Sequence, residues 1–177
     1  PVALYACRTS GDYGATFVSD EITSQTGYET HDFIDDAGFW ANHVHPDDRE
    51  RVIAELSKLP DQGHVSDEYR FLNKNGTYRW MHDESSILPG SDRNPVEIIG
   101  FWMDITDRKL TEDSLQQSEA RYRTLIEGAP VCIHEVDLGG RLESINPAGL
   151  KMVGIESESD VAGQDYLSFV DDKDRAR

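Results

Sequence analysis

Residues 1–49 and 130–175 of this 177-residue chain carry one pattern twice, at an offset near 127. Internal repetition constrains the fold more than any local signal does, because each copy must build the same unit. Pro1-Val2 answers Pro130-Val131, and Phe17-Val18-Ser19 answers Ser144-Ile145-Asn146. Gly27 and Gly154 follow Ser19 and Asn146 at the same distance. Val44-His45-Pro46-Asp47-Asp48-Arg49 answers Val170-Asp171-Asp172-Lys173-Asp174-Arg175. Two extra residues in the first hairpin and one before Val44 are the only gaps needed. Pattern and spacing carry the match, since few positions are identical. The second copy stops at Arg177, whereas the first continues well past Arg49. The expectation is one complete unit, a linker and the first half of a second unit, cut from a longer protein.

Local signals describe the first unit. Residues 2–8 and 15–18 read as strands around a Ser10-Gly11-Asp12 turn. Residues 20–44 hold short helical pieces broken by Gly27 and Gly38. His45-Pro46-Asp47-Asp48 starts a helix, with proline in the first turn and two acids facing the positive helix end. That helix is expected to run to about Lys58, with Val52, Ile53, Leu56 and Leu59 on its apolar face, until Pro60 and Gly63 end it. Strands follow at 65–72, 77–88 and 96–105. Asn75-Gly76 closes the first hairpin between them, and Pro89 to Pro95 forms a polar loop. Strands at both ends with helices between them make an α+β unit, a single antiparallel sheet with helices on one face.

Residues 107–127 lack Gly and Pro and read as one long helix, with Thr106 placed to cap it. Leu115, Tyr122 and Ala129 recur every seven residues, with Ser118 and Leu125 interleaved. The seam is poor, because Arg108, Thr111 and Ser118 occupy apolar positions. It predicts a marginal two-stranded coiled coil, against the alternative of a helix packed on its own domain.

Charge narrows the partners. Thirty-four acids against seventeen bases give a net charge of −17, which repels phosphate backbones and anionic lipid. Nucleic-acid binding and membrane contact by this chain are therefore excluded as expectations. No stretch approaches the length of a membrane span, and no signal peptide is visible. Cys7 and Cys132 fit no metal or redox spacing, which favours a reduced, cytoplasmic compartment.

The motifs resemble a known family. Phe39-Trp40-Ala41-Asn42-His43-Val44-His45-Pro46-Asp47-Asp48-Arg49, Glu68-Tyr69-Arg70, Asn75-Gly76-Thr77-Tyr78-Arg79-Trp80, Pro95-Val96-Glu97-Ile98-Ile99-Gly100 and Asp104-Ile105-Thr106-Asp107-Arg108-Lys109 resemble a PAS domain with its PAC segment. Ser118-Glu119-Ala120-Arg121-Tyr122-Arg123-Thr124-Leu125, Val136-Asp137-Leu138-Gly139-Gly140-Arg141 and Asn146-Pro147-Ala148 resemble the lead into a second PAS domain. The resemblance implies a five-stranded antiparallel sheet with helices on one face. It divides the chain into a PAS/PAC domain at 1–106, a linker helix at 107–129 and the N-terminal half of a second PAS domain at 130–177. It implies the non-catalytic sensory and dimerisation region of a multidomain signalling protein, foremost a sensor histidine kinase of a two-component system. The alternatives are a ligand-free interaction scaffold and the sensory part of a diguanylate cyclase or phosphodiesterase. Either way the partner is a second copy, with a small-molecule ligand in the sensing reading.

Candidate chemistry is sparse. No phosphate-binding loop, nucleophile elbow or zinc-protease motif is present, so the chain itself is read as non-enzymatic. His43, His45, Asp47 and Asp48 have metal-ligand chemistry, but a helix start already accounts for the acids. The helix at 46–59 lacks the histidine that haem-binding relatives place there, and no Gly-x-Asn-Cys-Arg-Phe motif supports flavin-thiol photochemistry. No cofactor is assigned. Trp40, Tyr69, Phe71, Trp80, Phe101 and Met103 are candidates to line an apolar pocket on the helical side of the sheet, with His82 or Arg70 as its polar group, unless they fill a solid core. Asp104, Thr106, Leu115, Tyr122 and Leu125 are candidates for signal coupling, Asp104 by pairing with Arg79 or Arg108. The half unit at 130–177 lacks its last strands and is expected to pack on a neighbour.

Overall fold

The computed structural model describes residues 1–9, 13–89 and 97–170. The expected turn at 10–12, the centre of the polar loop after Pro89, the Pro95-Val96 pair and the repeat beyond Val170 lie outside these. The chain divides into two compact units, Pro1–Thr111 and Glu112–Arg177.

In the first unit, β1 (Val2–Arg8), β2 (Ala15–Val18), β3 (His64–Leu72), β4 (Tyr78–Leu88) and β5 (Glu97–Asp104) form one antiparallel sheet in the order β2-β1-β5-β4-β3. The helices α1 (Glu21–Thr26), α2 (Thr30–Asp35), α3 (Phe39–His43), α4 (Pro46–Leu56) and α5 (Leu59–Gln62) contribute Ile22, Phe33, Val52 and Leu59 to the core. The sheet contributes Ala3, Tyr69, Phe71, Met81, Ile98 and Trp102. The aromatic centre is tight, with the Phe71 and Trp102 rings 4.9 Å apart and the Phe33 and Phe39 rings 4.8 Å apart, both edge-on.

The helices differ from the sequence reading in two places. Leu59 and Pro60 open a separate short helix instead of ending the previous one, because proline fits a first helical turn, where no N–H is required. Ile53 points outward, 42% exposed, and only Val52 of that pair is buried. At the start of α4, His45 accepts the Asp47 amide through Nδ1. Asp48 does more than face the helix end. It accepts Nε and Nη2 of Arg70, each at 2.8 Å, and the Arg70 amide at 3.0 Å, which fastens α4 to β3.

The helix α6 (Thr106–Gly128) has no buried residue, and Leu115, Tyr122 and Leu125 are each about three-fifths exposed. In the second unit, β6 (His134–Val136) pairs with β7 (Leu142–Ile145) ahead of α7 (Pro147–Val153). The repeat is visible in hydrogen bonds. Ser19 N donates to Leu4 O, and its counterpart Asn146 N donates to Ile133 O. Gly27 and Gly154 both end their helices with a positive φ, of 78° and 72°.

Candidate functional site

Cross-strand register decides which residues meet the helices. Residues directly opposite in an antiparallel pair share a face. Tyr69 faces Met81, Asp67 faces Asp83, Asp83 faces Trp102, and Trp102 faces Ala3. These belong to the buried face. Arg70 faces Trp80, His82 faces both Glu68 and Met103, and Phe101 faces Leu4. These belong to the opposite face. The expectation that Trp80, His82, Phe101 and Met103 look into the helical side is therefore corrected: all four lie half-buried on the far face, with Arg70. Tyr69, Phe71 and Trp40 lie on the helical side, the first two fully buried.

Between sheet and helices the first unit holds an open cavity of about 70 Å³. Ala3, Val18, Ile22, Phe33, Leu56 and Ile98 give it an apolar wall. Tyr5, Cys7, Trp40, Asp83 and Trp102, whose side chains carry polar atoms, also line it. Of these, the sequence reading named only Trp40 as a pocket residue.

The polar atoms form a chain of donors converging on one carboxyl. Tyr5 donates its hydroxyl to Asp83 Oδ1 at 2.7 Å and also lies 2.7 Å from Ser85 Oγ. Tyr69 donates to Asp83 Oδ2 at 2.7 Å, and Trp40 Nε1 donates to the Tyr69 hydroxyl at 2.8 Å. A hydroxyl has one hydrogen, so Tyr5 spends its own on Asp83 and Ser85 must donate to Tyr5. Burial pushes the Asp83 carboxyl above its ordinary range, against the tyrosine hydrogen bonds that favour the ionised form. Burial also raises both tyrosine hydroxyls, reinforced by the Asp83 charge, and it pushes the Cys7 thiol up to about 12. Cys7 is thus held as an unreactive thiol. Trp102 Nε1 lies near enough to Asp83 to favour its charge but not in hydrogen-bonding geometry, and it finds no partner among the described residues.

The second feature is the root of α6. Asp104 Oδ2 takes Arg79 Nη1 at 2.5 Å, and Asp104 Oδ1 takes the Thr106 amide at 2.9 Å. Burial would raise this carboxyl, but the bonds from Thr106 and Arg79 outweigh it and hold the pKa below the usual value. Thr106 does not cap its own helix through its hydroxyl. Thr106 Oγ1 instead accepts the Trp80 amide at 3.0 Å, and Ile105 N donates to Trp80 O at 2.9 Å. Arg108 pairs with Glu68 rather than with Asp104, and Lys109 Nζ lies 2.7 Å from Glu68 Oε2. Lys109 also stands 5.1 Å over the Trp80 ring. Strands β3 and β4 are thereby fastened to the first turn of α6. Leu115, Tyr122 and Leu125 lie farther along the same helix, on its exposed surface.

Comparison with known proteins agrees with this architecture. Residues 15–102 match the family model described as PAS fold, and residues 120–177 match one described as PAS domain. The chain is 32% identical over 144 residues to the two-component sensor PprA of Pseudomonas aeruginosa, covering 78% of this chain and 15% of that protein. It is 32% identical to a solved sensory box histidine kinase/response regulator of Burkholderia thailandensis, at a TM-score of 0.56, covering 70% of this chain and 92% of the solved one. The N-terminal domain of a diguanylate cyclase with PAS/PAC sensor from Marinobacter aquaeolei shares the fold at 22% identity and a TM-score of 0.54, covering 62% of this chain and 99% of that one. The chain spans less than a fifth of the length of its sensor relative PprA.

Proposed function

The chain belongs to the PAS family, and we propose that it is the non-catalytic sensory and dimerisation region of a longer signalling protein, a sensor histidine kinase. The cavity beneath Tyr5, Asp83 and Trp102 is the sensing site, and α6 carries the response onward and pairs with α6 of a second copy. The observation that carries this reading is the root of α6. A helix with no buried residue is nonetheless tied to β3 and β4 through Asp104, Thr106, Arg108 and Lys109. Asp83 and Trp80 lie on the same strand, so movement of β4 at the cavity displaces the groups that hold the helix.

The test is a fusion of this chain, through α6, to a histidine-kinase catalytic core, read by autophosphorylation. Asp104→Ala is expected to make kinase output independent of cavity-lining substitutions such as Val18→Phe. The unsubstituted fusion responds to the same substitution. An output that follows Val18→Phe equally with and without Asp104 removes the coupling role. No helix among the described residues is long and apolar enough to cross a membrane, and the proposed location is the cytoplasm.

A further inference from the structure

The cavity walls specify a ligand class, an inference that rests on reading the cavity as the sensing site. Three observations constrain it. First, Trp102 is 4% exposed, and its Nε1 is a buried donor without an acceptor among the described residues, in a residue that lines the cavity. A buried donor without a well-formed bond is costly, so a group that supplies a well-placed acceptor improves on the present approach of Nε1 to Asp83. Second, both Asp83 oxygens already receive a tyrosine hydrogen, yet a carboxylate offers about four lone-pair sites and can accept a third donor. Third, no Lys, Arg or His is among the described residues lining the cavity, and Asp83 is the one carboxyl there. An anion would meet like charge without a counter-ion. An ammonium group would have nothing to offer the Trp102 N–H.

One functional group can serve the Trp102 donor and the remaining Asp83 lone pairs at once. A hydroxyl oxygen accepts from Trp102 while its hydrogen faces Asp83, its neighbour in the β4–β5 register. Size restricts the rest. A cavity of about 70 Å³ is roughly half of an apolar cavity of about 150 Å³ that holds benzene. The apolar body is therefore a few carbon atoms set among Ala3, Val18, Ile22 and Phe33.

We propose that the cavity binds a small uncharged alcohol, its hydroxyl accepting from Trp102 Nε1 and donating to Asp83, its carbon body against the apolar wall. The test uses four probes of one shape and different polar groups: 2-propanol, acetone, isopropylammonium and acetate. Each is titrated into the isotopically labelled 177-residue chain while nuclear magnetic resonance follows the Trp102 indole N–H. That resonance is assigned by its loss in Trp102→Phe. 2-Propanol is expected to move the indole hydrogen downfield to saturation. Acetone, which only accepts, should bind about threefold or more weakly, and the two ions should leave the resonance in place. In Trp102→Phe, backbone amides of Ala3 and Ile98 should report 2-propanol binding weakened about three- to tenfold. If that variant does not fold, the resonance is assigned by exclusion from Trp40→Phe and Trp80→Phe, and its shift in the unsubstituted chain still decides. Acetate or isopropylammonium binding as tightly as 2-propanol overturns the class and leaves the sensing reading standing. Cavity amides that respond to 2-propanol while the Trp102 indole stays still also overturn it. If no probe moves any cavity resonance, the alcohol assignment fails. The sensing reading fails separately, by the kinase fusion ignoring cavity substitutions.

Discussion

Tyr5 crosses the sheet over Gly100. The two are directly opposed in the β1–β5 register, and a Cβ built on Gly100 would come within 2.4 Å of the Tyr5 ring and hydroxyl and of the Glu84 carbonyl. The bare backbone at Gly100 is what lets the Tyr5 hydroxyl reach past β5 to Asp83 and Ser85 on β4. The cavity's polar chain thus depends on an atom that is absent.

Gly100→Ala should therefore be costly out of proportion to one methyl group. Neither the Tyr5 ring nor the β4 backbone can withdraw cheaply, so overpacking should cost about 1–3 kcal/mol. The hydrogen bond from Tyr5 to Asp83 should also be lost. Chemical denaturation measures the first effect. The second is checked by comparing Tyr5→Phe in both backgrounds. The two substitutions should be clearly less than additive, because each breaks the same bond. Full additivity would mean that Tyr5 keeps its bond when Gly100 is replaced.

The register also explains what was legible in the sequence. On β3 only one alternating set, Val65, Asp67, Tyr69 and Phe71, is rich in large apolar groups, and it is the buried set. On β5 both sets are apolar: Ile99, Phe101 and Met103 on one, Ile98 and Trp102 on the other. Alternation gives the period there but not the side, and the bulkier set, Ile99, Phe101 and Met103, lies on the face that the helices do not cover. β4 misleads in the same way, since Trp80 and His82 are bulkier than Asp83 and Ser85. An acid in the middle of a strand reads as solvent-facing, yet Asp83 lies between Met81 and Ser85 on the buried face. That position, flanked by two residues of the core set, was the available signal. At the helix root the local sequence named the players but not the pairing. Arg79 and Arg108 were equal candidates for Asp104 until the fold brought Glu68 to the second.

Two carboxyls of the first unit, Asp48 and Asp83, should pull stability in opposite directions with pH. Asp48 has its pKa lowered, first by the Arg70 side-chain bond. The folded state then holds its charge more strongly than the unfolded chain, whose Asp titrates near about 3.9. Its contribution is present above that value and lost as pH falls through the folded pKa. Asp83 has its pKa raised by burial. The folded state then binds its proton when the unfolded chain has released it. Stability falls as pH rises from about 3.9 to the folded value. Denaturation of Asp48→Asn and Asp83→Asn across the acid range should show this. The advantage of the unsubstituted chain over Asp48→Asn should grow with pH, and its advantage over Asp83→Asn should shrink. Parallel slopes for the two variants would contradict the assignment.

The exposed face of α6 bears on the proposed pairing of two chains. Leu115, Tyr122 and Leu125 leave about 60% of their surface in water in a single chain, and apolar groups at this spacing gain from covering one another. The polar seam positions Arg108, Thr111 and Ser118 keep the gain small. In the proposed signalling role this would suit a helix pair with two arrangements of similar energy, since a strong zipper would hold one of them. The expectation is a weak, concentration-dependent dimer in sedimentation. Leu125→Lys should raise its dissociation constant about tenfold or more while circular dichroism shows α6 intact. Leu110→Lys is the control: it is also exposed but lies off the Leu115–Tyr122 repeat, and it should change dimerisation little. Each substitution adds a positive charge to a chain of net charge −17 and on that account alone should strengthen pairing, so equal weakening by both would mean that the contact is not confined to the Leu115–Tyr122 seam. A dimer untouched by Leu125→Lys would assign the contact to another surface.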